Sequence, residues 1–320
     1  MLKYLVIVLD DTSVSYCHYN NECKEKRLID IDTLKKGIVY AMKENLSIQY
    51  VLPDYTLPKK YVEVMESIDN IKFCSSNSDM IDEADVIVLN GWCSNINFNR
   101  EKTYVLRLSK EELFEKEKDI KLSFDKMSRL NVVITNITSF KDSDIDRYND
   151  VLNSFSKDVK SLIQNGFKIN ILTDRIMLDA MNNCNAGAEN ITLAPDGCFY
   201  VCPAFYHCGE NGEYGLGKTK FCIGNLEKGV DIKNSQLYEV EYAPLCRKCD
   251  AYHCKRCVWL NLNSTYEINT PSHEQCVVAH LERNASKTLL ESIGKHKLFV
   301  PEKEIKEISY LDPFDIIDKL

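Results

Sequence analysis

The amino-acid sequence predicts an α/β fold, a parallel partial (β/α) barrel or open sheet, followed by a cysteine-rich domain that holds metal. Through the first 175 residues, short β-branched runs alternate with amphipathic stretches. Near Asp174 this alternation ends, and seven cysteines follow in one ordered array. Strand–helix alternation gives a parallel sheet with right-handed crossovers, and cysteines paired two residues apart can reach a single metal centre.

Seven strands are predicted, over residues 4–9, 48–52, 71–73, 86–89, 103–108, 132–136 and 168–172. Between the first two, Leu34, Ile38 and Met42 recur at helical spacing, with Asp32 placed to cap the helix. Later helices are predicted near residues 61–68, 151–163 and 274–293. From Cys184 to Cys276 the sequence indicates short hairpins and loops around metal. Folds of this class place their sites at the carboxyl ends of the strands.

Composition narrows the possible partners. The net charge of −8 gives no reason to expect nucleic acid or an anionic membrane surface. No apolar run approaches the roughly 18 residues of a membrane helix, and the apolar opening segment reads as a buried strand rather than a signal peptide. We therefore expect a cytoplasmic protein. Its 14 cysteines then indicate metal or cluster binding rather than disulfides.

The array begins with Cys184 and Cys202, continues with the quartet Cys246-x2-Cys249-x4-Cys254-x2-Cys257, and ends at Cys276. Three further segments accompany it: Leu193-Ala-Pro-Asp-Gly197, Phe199-Tyr-Val-Cys202-Pro203 and Ile223-Gly-Asn-Leu226. Together these residues resemble the SPASM domain, the auxiliary-cluster module of many radical SAM peptide-modifying enzymes. The quartet spacings of four and two differ from the five and three usual in that family.

The resemblance implies two 4Fe-4S clusters. The outer cluster would be held by Cys246, Cys249, Cys254 and Cys276, and the inner one by Cys184, Cys202 and Cys257. The family's fourth inner ligand falls on Asn190. Either Cys222, Cys198 or Cys208 replaces it, or the inner cluster keeps an open iron that accepts a substrate thiolate. Two tetrahedral zinc ions satisfy the same spacing and remain the alternative.

The first half resembles a degenerate radical SAM core. Where that family carries three cluster-binding cysteines after its first strand, this chain has Asp10, Val14 and Cys17. Where the family places Gly-Gly-Glu-Pro, residues 52–58 read Leu-Pro-Asp-Tyr-Thr-Leu-Pro. One cysteine cannot hold the catalytic cluster, so the resemblance predicts no reductive cleavage of SAM and gives no reason to expect bound SAM.

The whole chain resembles the CXXX repeat peptide maturases, through residues 4–19 and 34–46 and the order of its two parts. This implies a degenerate α/β domain over residues 1–178, a SPASM-type domain over 179–295 and a tail over 296–320. It also implies an iron–sulfur maturase or accessory protein that binds a ribosomally made, cysteine-rich precursor peptide, or transfers electrons, alongside a true radical SAM partner. The alternative is a non-catalytic scaffold, stabilised by clusters or zinc, that presents the peptide.

Smaller sets of residues leave further alternatives open. Cys17, Cys74 and Cys93 each follow a predicted strand, and Cys23 lies near the first of them. These four cysteines could form a third metal site or a reactive thiol pair, or simply pack as small hydrophobic residues. Asp10 and Asp11 could bind a cation or an amine, or form a helix cap or solvated turn. Cations within the quartet either favour cluster assembly or solvate a surface loop; they are Arg247, Lys248, Lys255 and Arg256.

Overall fold

The computed structural model describes residues 1–207 and 221–293. Cys208 and the predicted tail over residues 296–320 lie outside the described residues. The chain forms two compact units. Unit 1 contains Met1–Asn90 and Asn185–Glu239, and unit 2 contains Gly91–Cys184 and the chain from Val240 onward. The domain boundaries expected from the sequence stay a prediction.

The strands of the described residues are β1 Tyr4–Val8, β2 Ser47–Val51, β3 Asn70–Ser75, β4 Val86–Asn90, β5 Thr103–Leu108, β6 Arg129–Ile134, β7 Lys168–Ile169, β8 Asn190–Leu193, β9 Cys198–Tyr200, β10 Cys222–Asn225 and β11 Gly229–Val230. The helices are α1 Ile31–Lys43, α2 Lys59–Met65, α3 Lys110–Lys121, α4 Asp142–Leu162, α5 Asn170–Met177, α6 Pro203–His207, α7 Val258–Thr265 and α8 His273–Ile293.

Unit 1 is built on a sheet in the order β11-β10-β9-β8-β1-β2-β3-β4. The strands from β8 to β4 in this order are parallel, and β8 to β11 form antiparallel hairpins. β1 lies between β2 and β8, with Val6 opposite both Gln49 and Thr192. The predicted α/β fold with a parallel sheet is confirmed. The cysteine-rich segment, where short hairpins and loops were expected, contributes four strands to this sheet.

Helix α1 packs against the centre of this sheet. Asp30 caps its start by accepting hydrogen bonds from the N–H groups of Asp32 and Thr33, so the prediction that Asp32 is the cap was wrong by two residues. Gly37 allows a close approach to β8, because a Cβ there would lie 2.5 Å from Leu193 Cδ2. The helix is thereby fixed on the strand that begins the cysteine-rich part of unit 1.

Unit 2 contains the parallel strands β5, β6 and β7, with α4 and α5 packed against α8. The predicted strand over residues 168–172 is wrong beyond Ile169, where α5 begins. The Asn170 side chain pairs with both backbone groups of Val132, at 2.8 and 2.9 Å, and so replaces the next backbone partner of β6. The Thr173 hydroxyl accepts the Ile169 N–H and completes the turn into the helix.

Candidate functional site

The cysteine quartet lies in unit 2, in a run of tight turns that leads into α7. The N–H of Cys249 donates to the Cys246 carbonyl at 3.0 Å, and the N–H of Cys254 donates to that of Ala251 at 2.9 Å. Cys257 stands at the N-cap position of α7. Cys246 and Cys257 are both buried. Turn hydrogen bonds of this kind hold four closely spaced cysteines in one short region.

Cys184 is brought beside the quartet by a backbone pairing within unit 2. The Asn182 N–H donates to the Tyr252 carbonyl, and the Cys184 N–H donates to the Lys255 carbonyl, both at 2.6 Å. The guanidinium of Arg256 adds a hydrogen bond from Nε to Asn183 Oδ1 at 2.9 Å. A cysteine distant in sequence therefore runs alongside the second half of the quartet.

Burial and charge set the protonation of these thiols. Burial raises the pKa of Cys246 to about 11, even though the Arg256 guanidinium opposes the shift. Burial also raises the pKa of Cys254 to about 12, against a hydrogen bond from the Arg256 backbone, and the neighbouring Cys246 and Cys249 add to the rise. Without a cation, these sulfurs hold their protons at neutral pH. A bound metal would replace those protons, since thiolate is the ligating form.

Arg256 differs in burial from two other cations of the quartet loop. It is fully buried, whereas Arg247 and Lys248 are exposed. It interacts electrostatically with Cys246, Cys184 and Cys254. The interpretation that all the cations only solvate a surface loop is therefore wrong for Arg256.

Helix α8 adds a histidine that the sequence reasoning missed. His280 Nε2 lies 3.6 Å from Cys249 Sγ, and the same sulfur accepts the Ala251 N–H at 3.4 Å. Cys276 stands one turn earlier on α8, where its N–H donates to the Ser272 carbonyl. The spacing of four between Cys276 and His280 is the signal that could have found it, because residues four apart share a helix face.

Asp250 anchors the middle of the quartet. Its carboxylate is within 3.1 to 3.3 Å of the cationic groups of Arg175, Arg283 and Lys287. Arg175 also donates from Nε to the Asp250 carbonyl at 2.9 Å. Burial would raise the pKa of the Asp250 carboxyl, but Arg283, Lys287 and Arg175 outweigh it and hold the pKa below its usual range. The turn after Cys249 is thus tied by charge to α5 and α8.

A second polar chain crosses the same region. His253 Nε2 lies 3.0 Å from Glu282 Oε2, and the Tyr148 hydroxyl donates to Glu282 Oε1. All three side chains are buried. Burial, followed by the Glu282 charge, raises the pKa of Tyr148 well above its usual value. These hydrogen bonds link α4, the quartet and α8, and they give His253 a structural partner.

The donor chemistry of this region suits a thiolate-bound centre, since cysteine sulfur is the common ligand of zinc and of iron–sulfur clusters. Within residues 1–207 and 221–293, no group of three or more His, Cys, Asp or Glu side chains is arranged to hold a metal ion.

The predicted ligand set of the outer cluster belongs entirely to unit 2. The inner set takes Cys184 and Cys257 from unit 2 and Cys202 from unit 1. Both ligand sets stay predictions.

Unit 1 contains the array cysteine Cys202 and two of the candidate fourth ligands, Cys198 and Cys222. Cys202 is buried just before α6, and its interaction with Tyr238 adds to the burial that raises the pKa of that tyrosine. Cys198 and Cys222 lie on the neighbouring strands β9 and β10, where Cys198 is opposite Asn225 and Cys222 is opposite Tyr200. Asn190, at the family's fourth ligand position, is the first residue of β8.

The other candidate cysteines have different surroundings. Cys74 is fully buried in the hydrophobic core of unit 1, in agreement with the packing alternative for that residue. Cys17 is half-buried, and Cys23 and Cys93 are exposed. A third metal site built from these four stays a prediction.

The loop at the carboxyl end of β1 contains two buried carboxylates that accept hydrogen bonds. Asp10 accepts hydrogen bonds from the Thr12 N–H at 2.9 Å and the Tyr55 hydroxyl at 2.8 Å, and Asp11 accepts one from the Tyr206 hydroxyl. Both aspartates are buried, which contradicts a solvated turn. The next helix begins only at Ile31, so neither aspartate is a helix cap. Burial and these carboxylates raise the pKa values of Tyr55 and Tyr206, which keeps both hydroxyls as donors.

Comparison with known proteins gives a likeness of fold. No protein-family model matches the chain, and no curated protein matches its sequence. The structure of native anSMEcpe with bound AdoMet and Cp18Cys peptide matches with a TM-score of 0.56 and 12% identity, covering 92% of this chain and 99% of that one. The chain therefore shares the fold of that structure, in agreement with the predicted α/β class. No helix within the described ranges is long and apolar enough to cross a membrane.

Proposed function

We propose that the protein works in the maturation of a ribosomally made, cysteine-rich peptide, as an accessory or maturase protein beside a true radical SAM enzyme. One observation carries the proposal: nearly the whole chain shares the fold of anSMEcpe, a protein whose structure contains a bound peptide. The cysteine array supports it, because Cys184 and the quartet adjoin one another in unit 2. Binding the peptide, transferring electrons to or from it, or both would be the task of the chain.

Two 4Fe-4S clusters are the cofactors proposed for the array. Cys246, Cys249, Cys254 and Cys276 would hold the outer cluster, and Cys184, Cys202 and Cys257 would supply three ligands to the inner one. When bound, such clusters exchange single electrons. The protein's own contribution is to bury the thiols, to place Arg256 beside them and to fix the Asp250 turn with three cations.

The β1 loop supports the accessory role. Asp10 and Val14 occupy two of the three positions at which the family carries cluster cysteines, and both are buried. Asp10 receives three hydrogen bonds, two of them from Thr12 and one from Tyr55. We infer that this chain does not cleave SAM reductively, and that a partner enzyme supplies the radical step.

The first experiment is the content of iron, acid-labile sulfide and zinc per chain, in protein purified without oxygen. About eight iron and eight sulfide would support two 4Fe-4S clusters. About two zinc and no sulfide would reject electron transfer and leave the alternative of a zinc-stabilised scaffold that presents the peptide.

The second experiment concerns the fourth inner ligand. If Cys222 fills that position, Cys222→Ala will lower the iron content. If the inner cluster keeps an open iron, the iron content will not change and a thiol-containing peptide will shift the spectrum of the cluster. A spectrum that ignores the peptide, in protein with full iron content, would reject substrate ligation.

A further inference from the structure

A groove in unit 1 lies between helix α1 and the turns of two hairpins. Its volume is about 650 Å³, which is within the range of ligand-binding clefts. Residues of α1 form one wall. The other wall consists of residues 196–198, at the turn between β8 and β9, and residues 225–227, at the turn between β10 and β11. All of these residues belong to unit 1, so the groove is formed within that unit.

Helical spacing determines which residues of α1 line the groove. Thr33, Lys36, Tyr40 and Lys43 are three or four residues apart and therefore lie along one face of the helix. At a rise of about 1.5 Å per residue, this row is about 15 Å long. An extended chain of about five residues covers the same length, which is more than a single small anion can span.

The two walls approach each other closely at the Thr33 end of the groove. A Cβ on Gly197 would lie 3.8 Å from Thr33 Cγ2, which is ordinary van der Waals contact. A helix with its side chains is about 10 Å across, so this end has no room for one. The shape of the groove therefore favours an extended occupant.

The groove is positively charged, although the net charge of the chain is −8. Lys35, Lys36 and Lys43 line it and are exposed, and within residues 1–207 and 221–293 none of the three forms an ion pair. Asp196 and Glu227 also line it, so three cations against two carboxylates leave a charge of +1. Both Asp196 oxygens already accept hydrogen bonds within the protein, at 2.9 and 2.7 Å. Lysines arranged in this way attract carboxylates of a ligand.

Apolar surface lies among the lysines. On the α1 wall, Val39 is 47% exposed, and the Tyr40 ring packs against Phe199 with the two ring centroids 4.9 Å apart. On the facing wall, Leu226 is half-buried. Covering this surface with an apolar side chain removes it from water and is favourable. The groove therefore matches a ligand in which acidic side chains flank an apolar one.

We propose that this groove binds an extended, acidic segment of the precursor peptide. Carboxylates of the segment pair with the three lysines of α1, and an apolar side chain between them covers Val39 and Leu226. The chemistry of the segment is inferred from the groove itself, whereas naming the precursor as its source rests on the proposed function. The seven cysteines of the array, all of them described residues, do not line the groove, so peptide binding here is separate from metal binding.

The test titrates the full chain into a fluorescein-labelled synthetic peptide of about six residues that alternates glutamate with leucine, and follows its anisotropy. We expect saturable binding. A peptide with glutamine in place of each glutamate keeps the shape without the charge and should bind roughly tenfold more weakly. Raising the salt from about 0.1 M to about 1 M shortens the screening length from about 10 Å to about 3 Å and should weaken binding of the acidic peptide alone.

A pair of double variants tests whether the lysines of the groove carry the binding. Lys36→Glu combined with Lys43→Glu should weaken binding of the acidic peptide roughly tenfold. Lys24→Glu combined with Lys59→Glu makes the same change of charge at exposed lysines of unit 1 that do not line the groove, and it should leave the affinity close to the wild-type value.

A pair of single variants tests the apolar contact. Val39→Ser should weaken binding of the leucine-containing peptide about threefold and leave a peptide with serine in place of leucine unaffected. Met42→Ser changes a more exposed apolar residue of the same helix that does not line the groove, and it is the control. All the substituted residues are exposed, so each variant should fold, which circular dichroism checks.

Equal affinities for the glutamate and glutamine peptides would overturn the proposal, and so would wild-type affinity in the Lys36→Glu, Lys43→Glu variant. An oligouridylate of the same charge that binds as tightly as the acidic peptide would replace the peptide with a nucleic acid. An acidic segment presented by a folded partner enzyme is the other source, and it predicts that the free peptide does not bind. Iron and sulfide are measured separately, so a groove that binds no peptide can be told apart from a chain without clusters.

Discussion

The loop after β1 and the cysteine quartet are both buried and polar, but they satisfy their polar groups in different ways. In unit 1, the Asp10 and Asp11 carboxylates are satisfied by hydroxyl groups of Thr12, Tyr55 and Tyr206. In unit 2, the thiols of Cys246 and Cys254 have raised pKa values, and both interact with the buried Arg256. The carboxylates of the first region already have hydrogen-bond donors within the protein. The thiols of the second would gain a partner if a metal cation replaced their protons.

The largest effect should come from Asp250→Asn. Removing the carboxylate leaves the fully buried Arg175 without its ion pair, and breaking such a pair costs about 3–5 kcal/mol. Chemical denaturation at pH 7 would measure the free energy of unfolding. Asp158→Asn removes a more exposed ion pair with Lys121 and should cost at most about 1 kcal/mol. Equal losses in the two variants would mean that the quartet is not anchored by charge.

The Asp250 carboxyl also determines how the folding stability changes with pH. The Asp250 pKa is lowered in the folded state, so the stabilisation is present above the usual aspartate pKa of about 3.9 and is lost as the pH falls below it. Wild-type protein should therefore lose stability in acid more steeply than Asp250→Asn. Parallel acid profiles would contradict this assignment.

The second prediction concerns alkylation of the metal-free protein. A thiol of pKa about 11 is far less ionised at pH 8 than an ordinary thiol of pKa about 8.5, so Cys246 should react with iodoacetamide about a hundredfold more slowly than in the unfolded chain. Its rate should keep rising up to about pH 11. Mass spectrometry of the labelled peptide measures it. A rate that levels off near pH 9 would show that the quartet thiolates are stabilised without metal.

The third prediction concerns Arg256→Met, which keeps the apolar stem and removes the cation beside Cys246 and Cys184. Residues that support metal ligands typically change metal affinity by 10–100-fold, so we expect about a tenfold loss, measured by chelator competition. Arg247→Met removes an exposed arginine of the same loop and is the control. Equal affinities in the two variants would reduce Arg256 to a packing residue.

Several strands and the cysteine motif could be predicted from the sequence, because local patterns determine them. The β-branched run of β5 was predicted at its observed bounds, and the cysteine spacing indicated the quartet. The failures depended on distant contacts. Asn170 ends a strand because its side chain pairs with Val132, and Asp250 meets Arg175 from 75 residues away. Spacing along the chain carries no information about such partners.

The smallest effect is expected for Tyr55→Phe in the β1 loop. This change removes one hydrogen bond to Asp10, while Thr12 still supplies two others, so the loss should be about 1 kcal/mol. Tyr4→Phe changes an exposed tyrosine of β1 and should cost nothing measurable. The metal content should stay at the wild-type value in both variants, because the β1 loop is complete without metal. If Tyr55→Phe instead lowered the iron content, the β1 loop would have to contribute to a cluster. The two regions would then not differ in their need for a metal.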